Sequence, residues 1–187
     1  MRIITRAAAM PAALALAAFA AAQPTPPPQV EAAFSTYAPG AAAVTYDTTL
    51  VPAGATVRLA LADTDTTPKV TLWLTGLNPD HTYGAHLHQR PCGPDGAAAG
   101  PHYQHTADPA ATPEKPSADP AYANATNEVW LDFTTGPDGS AQSSATHQWP
   151  FNEQNPPRSL ILHAEATQTA AGHAGMAGAR LACVNLP

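Results

Sequence analysis

Proline recurs along this chain from Pro11 to Pro187, 21 times in 187 residues, and that spacing limits the fold more than any other feature. A proline inside a helix removes a backbone donor and clashes with the preceding turn, so a helix bundle is excluded. No stretch carries three turns of amphipathic helix. What remains are short runs between turn signals. Thr56–Leu61 and Lys69–Leu74 alternate apolar and polar residues with period two, the mark of a half-buried strand. Further strands are predicted at Ala43–Tyr46, His81–Gln89, Glu128–Thr134, Gly139–Thr146, Ser159–Ala164 and Ala179–Val184. Thr75–Pro79 and Gly136–Gly139 read as turns. Eight strands of this kind predict an all-β domain, an eight-stranded antiparallel Greek-key β-barrel or sandwich. Gly93–Ala125 has almost no apolar periodicity and Glu165–Gly178 is rich in Ala, Gly and Thr, and loops of that length in a compact domain are usually functional or disordered.

The N-terminus has the make-up of a secretory signal peptide over residues 1–22. Arg2 and Arg6 supply the positive region. Ala7–Ala20 is apolar but too short and alanine-rich to span a bilayer well, and Ala18-Phe19-Ala20 and Ala20-Ala21-Ala22 are small-x-small cleavage sites. Residues 23–40 read as a Pro/Ala-rich tether, with Pro26-Pro27-Pro28 favouring extended polyproline II. The folded domain is predicted over 41–187. The expected location is therefore secreted or extracytoplasmic, with no membrane insertion after signal cleavage. The full chain has a net charge of −6, and without residues 1–22 it keeps 6 basic against 14 acidic side chains, a net of −8. That balance excludes nucleic acid as a partner. The two cysteines, Cys92 and Cys183, are predicted to pair as one disulfide in an exported chain.

Histidine carries the chemistry. Gly84-Ala85-His86-Leu87-His88 lies on a predicted strand, where residues two apart face the same way, so His86 and His88 reach one ligand together. His102 follows in the Gly/Pro-framed turn Gly100-Pro101-His102-Tyr103, and His163 ends the apolar run Leu160-Ile161-Leu162. The chain closes on Gly178-Ala179-Arg180-Leu181-Ala182-Cys183.

The order and chemistry of these pieces resemble the copper/zinc superoxide dismutase family, over a stretch from about Ala41 to the C-terminus. The resemblance implies that His86, His88, His102 and His163 are copper ligands, with His102 in the place of the histidine that in the family also touches zinc. It implies that the disulfide ties the loop after the predicted strand His81–Gln89 to the last strand, and that Arg180 stands over the copper and pairs with superoxide; the two long loops flank the histidines and are read as walls of the metal site. Four imidazoles with no committed carboxylate suit copper, because neutral imidazole tolerates both Cu(II) and Cu(I). A guanidinium stays charged and offers fixed donors to a small oxyanion. His81, His147 and His173 fall outside the matched motifs and read as ordinary histidines.

The sequence departs from that pattern at the zinc site. The family supplies two further histidines and an aspartate from the long loop. Here the loop after His102 has His105 alone, with Asp108, Asp119, Glu128 and Asp132 as carboxylates in reach. The family also has an aspartate downstream of its last copper histidine, where this chain reads Ala164-Glu165-Ala166-Thr167-Gln168. These losses predict a copper-only variant; the alternative is a zinc site rebuilt from His105 and one carboxylate. Without zinc, His102 needs an acceptor for its second nitrogen, and Glu128 is the first candidate, Asp132 the second. The expected activity is conversion of superoxide to O2 and H2O2. The alternative is a non-enzymatic extracellular copper-binding protein on the same barrel, favoured by the shortened loop before Arg180 and the missing zinc set.

Overall fold

A computed structural model of the chain describes residues 29–63, 65–112 and 114–187. The signal peptide read at 1–22 and the first part of the tether lie outside the described residues. The described residues form nine strands: β1 (Val30–Ala33), β2 (Ala43–Thr45), β3 (Thr56–Ala62), β4 (Lys69–Thr75), β5 (Thr82–His88), β6 (Phe133–Thr134), β7 (Ala141–Thr146), β8 (Ser159–His163) and β9 (Arg180–Asn185). They build two antiparallel sheets, one in the order β1-β3-β4-β7 and one in the order β2-β9-β8-β5-β6. A short 3-10 helix, Gly96–Ala99, is the one helix among the described residues, and no helix there is long and apolar enough to cross a membrane.

Alternation places the core between the sheets. Val57 and Leu59 of β3 and Val70, Leu72 and Leu74 of β4 meet Tyr83, Ala85 and Leu87 of β5, Leu160 and Leu162 of β8, and Ala182 and Val184 of β9 in one buried cluster. The intervening residues of the second sheet, His86 and His88 of β5 and His163 of β8, therefore lie on its other face. A one-residue slip of β5 would bring these imidazoles into the core and expel Leu87. Each large apolar side chain gains about 1.5–3 kcal/mol on burial, which fixes the register.

Two differences from the sequence reading concern boundaries. β1 lies inside the segment read as tether: Val30 pairs with Leu59 and Ala33 with Thr56, and Val30 and Phe34 are buried. The folded unit therefore includes Val30, because Val30, Ala32 and Phe34 share one inward face despite their proline-rich surroundings. The strand expected at Glu128–Thr134 is reduced to β6. Before it the chain makes isolated bridges, Gln104 with Glu128 and His86 with Trp130. Backbone bonds to β5 hold it there, Leu87 N–H to the Val129 carbonyl (3.3 Å) and Leu131 N–H to the Ala85 carbonyl (2.7 Å), and the side chains of Glu128 and Asp132 add to them.

Candidate metal centre

β5 delivers two of the four histidines and β8 a third. His86 sits opposite Ile161 and Gly84 opposite His163, so His163 is the diagonal neighbour of His86, within reach on one sheet face. The fourth comes from the loop. Tyr103 N–H donates to the Leu87 carbonyl (2.8 Å) and Gln89 N–H to the Pro101 carbonyl (3.2 Å), which lays His102 beside His88 as an antiparallel bridge. The ring centroids of His86 and His102 stand 4.2 Å apart, those of His88 and His102 4.7 Å, and those of His86 and His163 4.8 Å. One ligand atom from each of the four lies within 4.8 Å of those of the others.

The hydrogen bonds behind the rings determine which nitrogen faces inward. The Gly100 carbonyl can only accept, so His88 donates from Nδ1 (3.0 Å) and keeps Nε2 bare. The Glu128 carboxylate accepts from His102 Nδ1 (2.7 Å). His86 Nε2 meets the Thr167 hydroxyl (2.6 Å). His86 Nδ1, His88 Nε2 and a nitrogen of His163 are buried with no hydrogen-bond partner. An unsatisfied buried polar atom costs about 1–3 kcal/mol, and several converging on one point fit a bound metal ion, which would offset that cost. The electrostatics agree with ligand chemistry. Burial, and then the neighbouring imidazoles, His102 first, push His86 and His88 well below the ordinary histidine value. Burial takes His163 down to about 3. These rings are neutral, the form that ligates.

Glu128 is the node behind His102. Besides that ring it accepts from Trp130 Nε1 at Oε2 (2.7 Å) and from Gln104 Nε2 at Oε1 (2.8 Å). Three donors satisfy a carboxylate that is only 1% exposed, the condition for burying such a group. Asp132, the second candidate from the sequence, does not reach His102. It stands behind His86, 3.7 Å from Nε2. His105, the candidate for a rebuilt zinc site, is stacked on Trp149 at 4.8 Å between ring centroids. Among the described residues the four histidines are the group found able to hold a metal. His147 also packs on Trp149, and His81 Nε2 lies 3.1 Å from the Ala164 carbonyl. Thr167 is the contact that sequence reasoning missed.

Arg180 opens β9. A register shift between Leu162 and His163 pairs Leu162 with Ala182 but His163 with Arg180. This bulge brings the guanidinium beside a site histidine. Arg180 Nη1 donates to the Gly96 carbonyl (2.8 Å). Glycine is required at 96, since a Cβ there would come within 2.5 Å of Arg180 Cβ. The 3-10 helix that carries Gly96 is held against β9 by the Cys92–Cys183 disulfide, with Cα atoms 5.7 Å apart. Arg180, His102 and His163 line one cleft of about 860 Å³ that opens to solvent, its other walls drawn from Gln89, Arg90, Pro101 and Glu128 and from residues within 104–112, 114–118 and 172–178. The two long loops do wall the site.

An antiparallel two-sheet domain in which three imidazoles from one sheet and a fourth from a loop converge, with an arginine lining the same cleft, defines a metal-binding protein. The family model for copper/zinc superoxide dismutase (SODC) matches residues 54–186, and the chain belongs to that family. Similar solved structures include the Cu/Zn superoxide dismutase from Brucella abortus, 19% identical, with 71% of this chain and 88% of that chain covered and a TM-score of 0.48. A double mutant of a SOD-like protein from Bacillus subtilis is 17% identical over 70% of this chain and 87% of that one, with a TM-score of 0.46. A single mutant of that protein is 16% identical over 71% and 88%, also with a TM-score of 0.46. No curated protein matches the chain.

Proposed function

We propose that the protein is a copper-only superoxide dismutase that works outside the cytoplasm. The observation that carries this reading is the convergence of four imidazoles within 4.8 Å of one another, two of which, His102 and His163, line the cleft that Arg180 also lines. His86 Nδ1, His88 Nε2, His102 Nε2 and one nitrogen of His163 would hold the metal. When bound, copper supplies one-electron exchange, taking an electron from one superoxide to give O2 and returning it to the next, with two protons, to give H2O2.

The chain's own residues do the rest. Arg180 is tied by Nη1 to Gly96 and keeps further N–H donors for the anion. Burial lowers its pKa, but a guanidinium remains charged at working pH. The solvent-open cleft admits water as the proton source. Glu128 favours the copper-only form, because the proton on His102 Nδ1 is committed to its carboxylate and that nitrogen has no lone pair for a second metal. The disulfide supports export, as such bonds persist in oxidising compartments.

The test is metal analysis of protein purified with copper and zinc both present, alongside a superoxide-consumption assay. One tightly bound copper, no stoichiometric zinc and rapid consumption are expected. Copper without consumption would leave the copper-storage alternative, and a tightly held zinc would overturn the copper-only form.

A further inference from the structure

Four histidines need four fixed tautomers, and the device behind His86 is unlike the others. His88 and His102 donate to groups that can only accept, a carbonyl and a carboxylate. His86 Nε2 faces a hydroxyl, Thr167 Oγ1, at 2.6 Å. A hydroxyl can donate or accept, so by itself it leaves the tautomer undetermined. Asp132 removes that freedom. Thr167 Oγ1 donates to Asp132 Oδ1 (2.8 Å), and with its one proton committed it can only accept from His86. The carboxylate is held for this purpose: Thr167 N–H donates to Oδ2 (2.8 Å) and Ala85 N–H to Oδ1 (3.1 Å). Its own distance to His86 Nε2, 3.7 Å, is too long for a direct hydrogen bond.

We infer that Thr167 is a positioning residue of the metal centre: its hydroxyl relays the Asp132 carboxylate to His86 and holds that ring in the tautomer whose Nδ1 is bare toward the site. With the opposite tautomer, His86 would point an N–H at the position where a metal is to sit. Asp132 sets the polarity of the chain and Thr167 transmits it. The carboxylate also makes the ligating nitrogen more basic, as a carboxylate behind a metal-bound histidine does.

Gly84 makes room for this arrangement. Its N–H donates to the Glu165 carbonyl (2.7 Å). A Cβ on Gly84 would come within 2.7 Å of the Glu165 oxygen, 2.6 Å of Ala177 Cβ and 3.1 Å of Thr167 Oγ1. The bare backbone at Gly84 is what lets the 165–178 loop sit close enough for a short side chain to reach His86.

The inference rests on the copper reading for its consequence but not for its geometry, and the test separates the two. Wild type, Thr167→Val, Thr167→Ser and Asp132→Ala are compared metal-free by long-range 1H–15N correlation of the His86 ring. Each is then titrated with Cu(II) against a competing chelator. Wild type and Thr167→Ser are expected to hold the Nε2–H form. Thr167→Val and Asp132→Ala are expected to show mixed tautomers and to bind copper about 10- to 100-fold more weakly. An Nδ1–H His86 in wild type, or a Thr167→Val protein equal to wild type in both measurements, overturns the inference. If Thr167→Val fails to fold, the contrast between Thr167→Ser and Asp132→Ala decides, and equality of those two overturns it as well. A wild type that holds Nε2–H yet binds no copper would sink the copper reading and leave the relay standing.

Discussion

At the scale of the residue, the site depends on groups that touch the histidines from behind. Glu128 joins His102, Trp130 and Gln104 through one carboxylate. Glu128→Gln keeps the shape but presents an amide N–H to one of those three donors. Copper affinity, read by chelator competition, is expected to fall by roughly 10- to 100-fold, the usual effect of losing such a partner; an unchanged affinity would make Glu128 a bystander. His147 bears on stability instead. Burial, and after it the nearby His105, holds its pKa below the ordinary 6.5. Above that value both folded and unfolded chains leave it neutral. As pH falls below it, the unfolded chain takes up a proton that the folded protein refuses, so stability is lost. His147→Gln is expected to flatten the fall in unfolding free energy between about pH 7.5 and about pH 5, by at most about 1.4 kcal/mol per pH unit for one proton. Denaturant titrations at the two ends check it, and parallel profiles for variant and wild type would contradict it. Glu128 was legible in the sequence because a histidine without zinc behind it requires an acceptor. Thr167 was not. It lies in the Ala164–Gln168 segment, where the sequence offers no aspartate, and only the fold connects it to an aspartate 35 positions earlier.

At the scale of the element, the disulfide, the 3-10 helix and β9 act as one clamp. Cys92–Cys183 spans 91 positions, and closing a loop of that size removes about 4–5 kcal/mol of unfolded-chain entropy in the simple chain model. The same bond fixes the helix whose Gly96 carbonyl holds Arg180. Replacing both cysteines by serine is therefore expected to do two things. Unfolding free energy should drop by up to that amount, and the superoxide rate of copper-loaded protein should fall while copper stays bound. A rate that survives intact would show that Arg180 keeps its place without the clamp. The strands themselves were largely legible, because Val57, Leu59, Val70, Leu72 and Leu74 alternate cleanly into the core. β1 was hidden by the prolines before it. The 128–134 segment looked like a strand because its apolar residues alternate; it keeps backbone bonds to β5 at Val129 and Leu131, and the ladder is interrupted where Asp132 Oδ1 takes the Ala85 N–H.

At the scale of the whole molecule, the proposed function requires an anion to reach a site on an acidic protein of net charge −6. The cleft gives little help, since Arg90, Lys115 and Arg180 on its walls are matched by Asp108, Glu114 and Glu128. Long-range steering is therefore weak, and attraction is left to Arg180 at contact. Screening has a range of about 10 Å at 0.1 M salt, so added salt weakens the repulsion from the distant acidic surface more than the contact with Arg180. The wild-type rate is expected to hold or rise as salt increases from low to moderate. Arg180→Ala removes a fixed charge and its free donors, worth roughly 1.5–3 kcal/mol as charge-assisted contacts. That corresponds to a loss of roughly 10- to 100-fold in rate at either salt. Copper affinity should scarcely change, because Arg180 is no ligand and its removal takes a positive charge away from the metal. His86→Ala, by contrast, should lower copper affinity and rate together. The deciding measurement is superoxide consumption by fully copper-loaded wild type and Arg180→Ala at the two salt levels. Equal rates would remove Arg180 from the mechanism. A wild-type rate that falls steeply with salt would mean that a steering field exists which the cleft charges do not reveal. Negligible rates in both proteins, with copper tightly held, would make this domain a copper store.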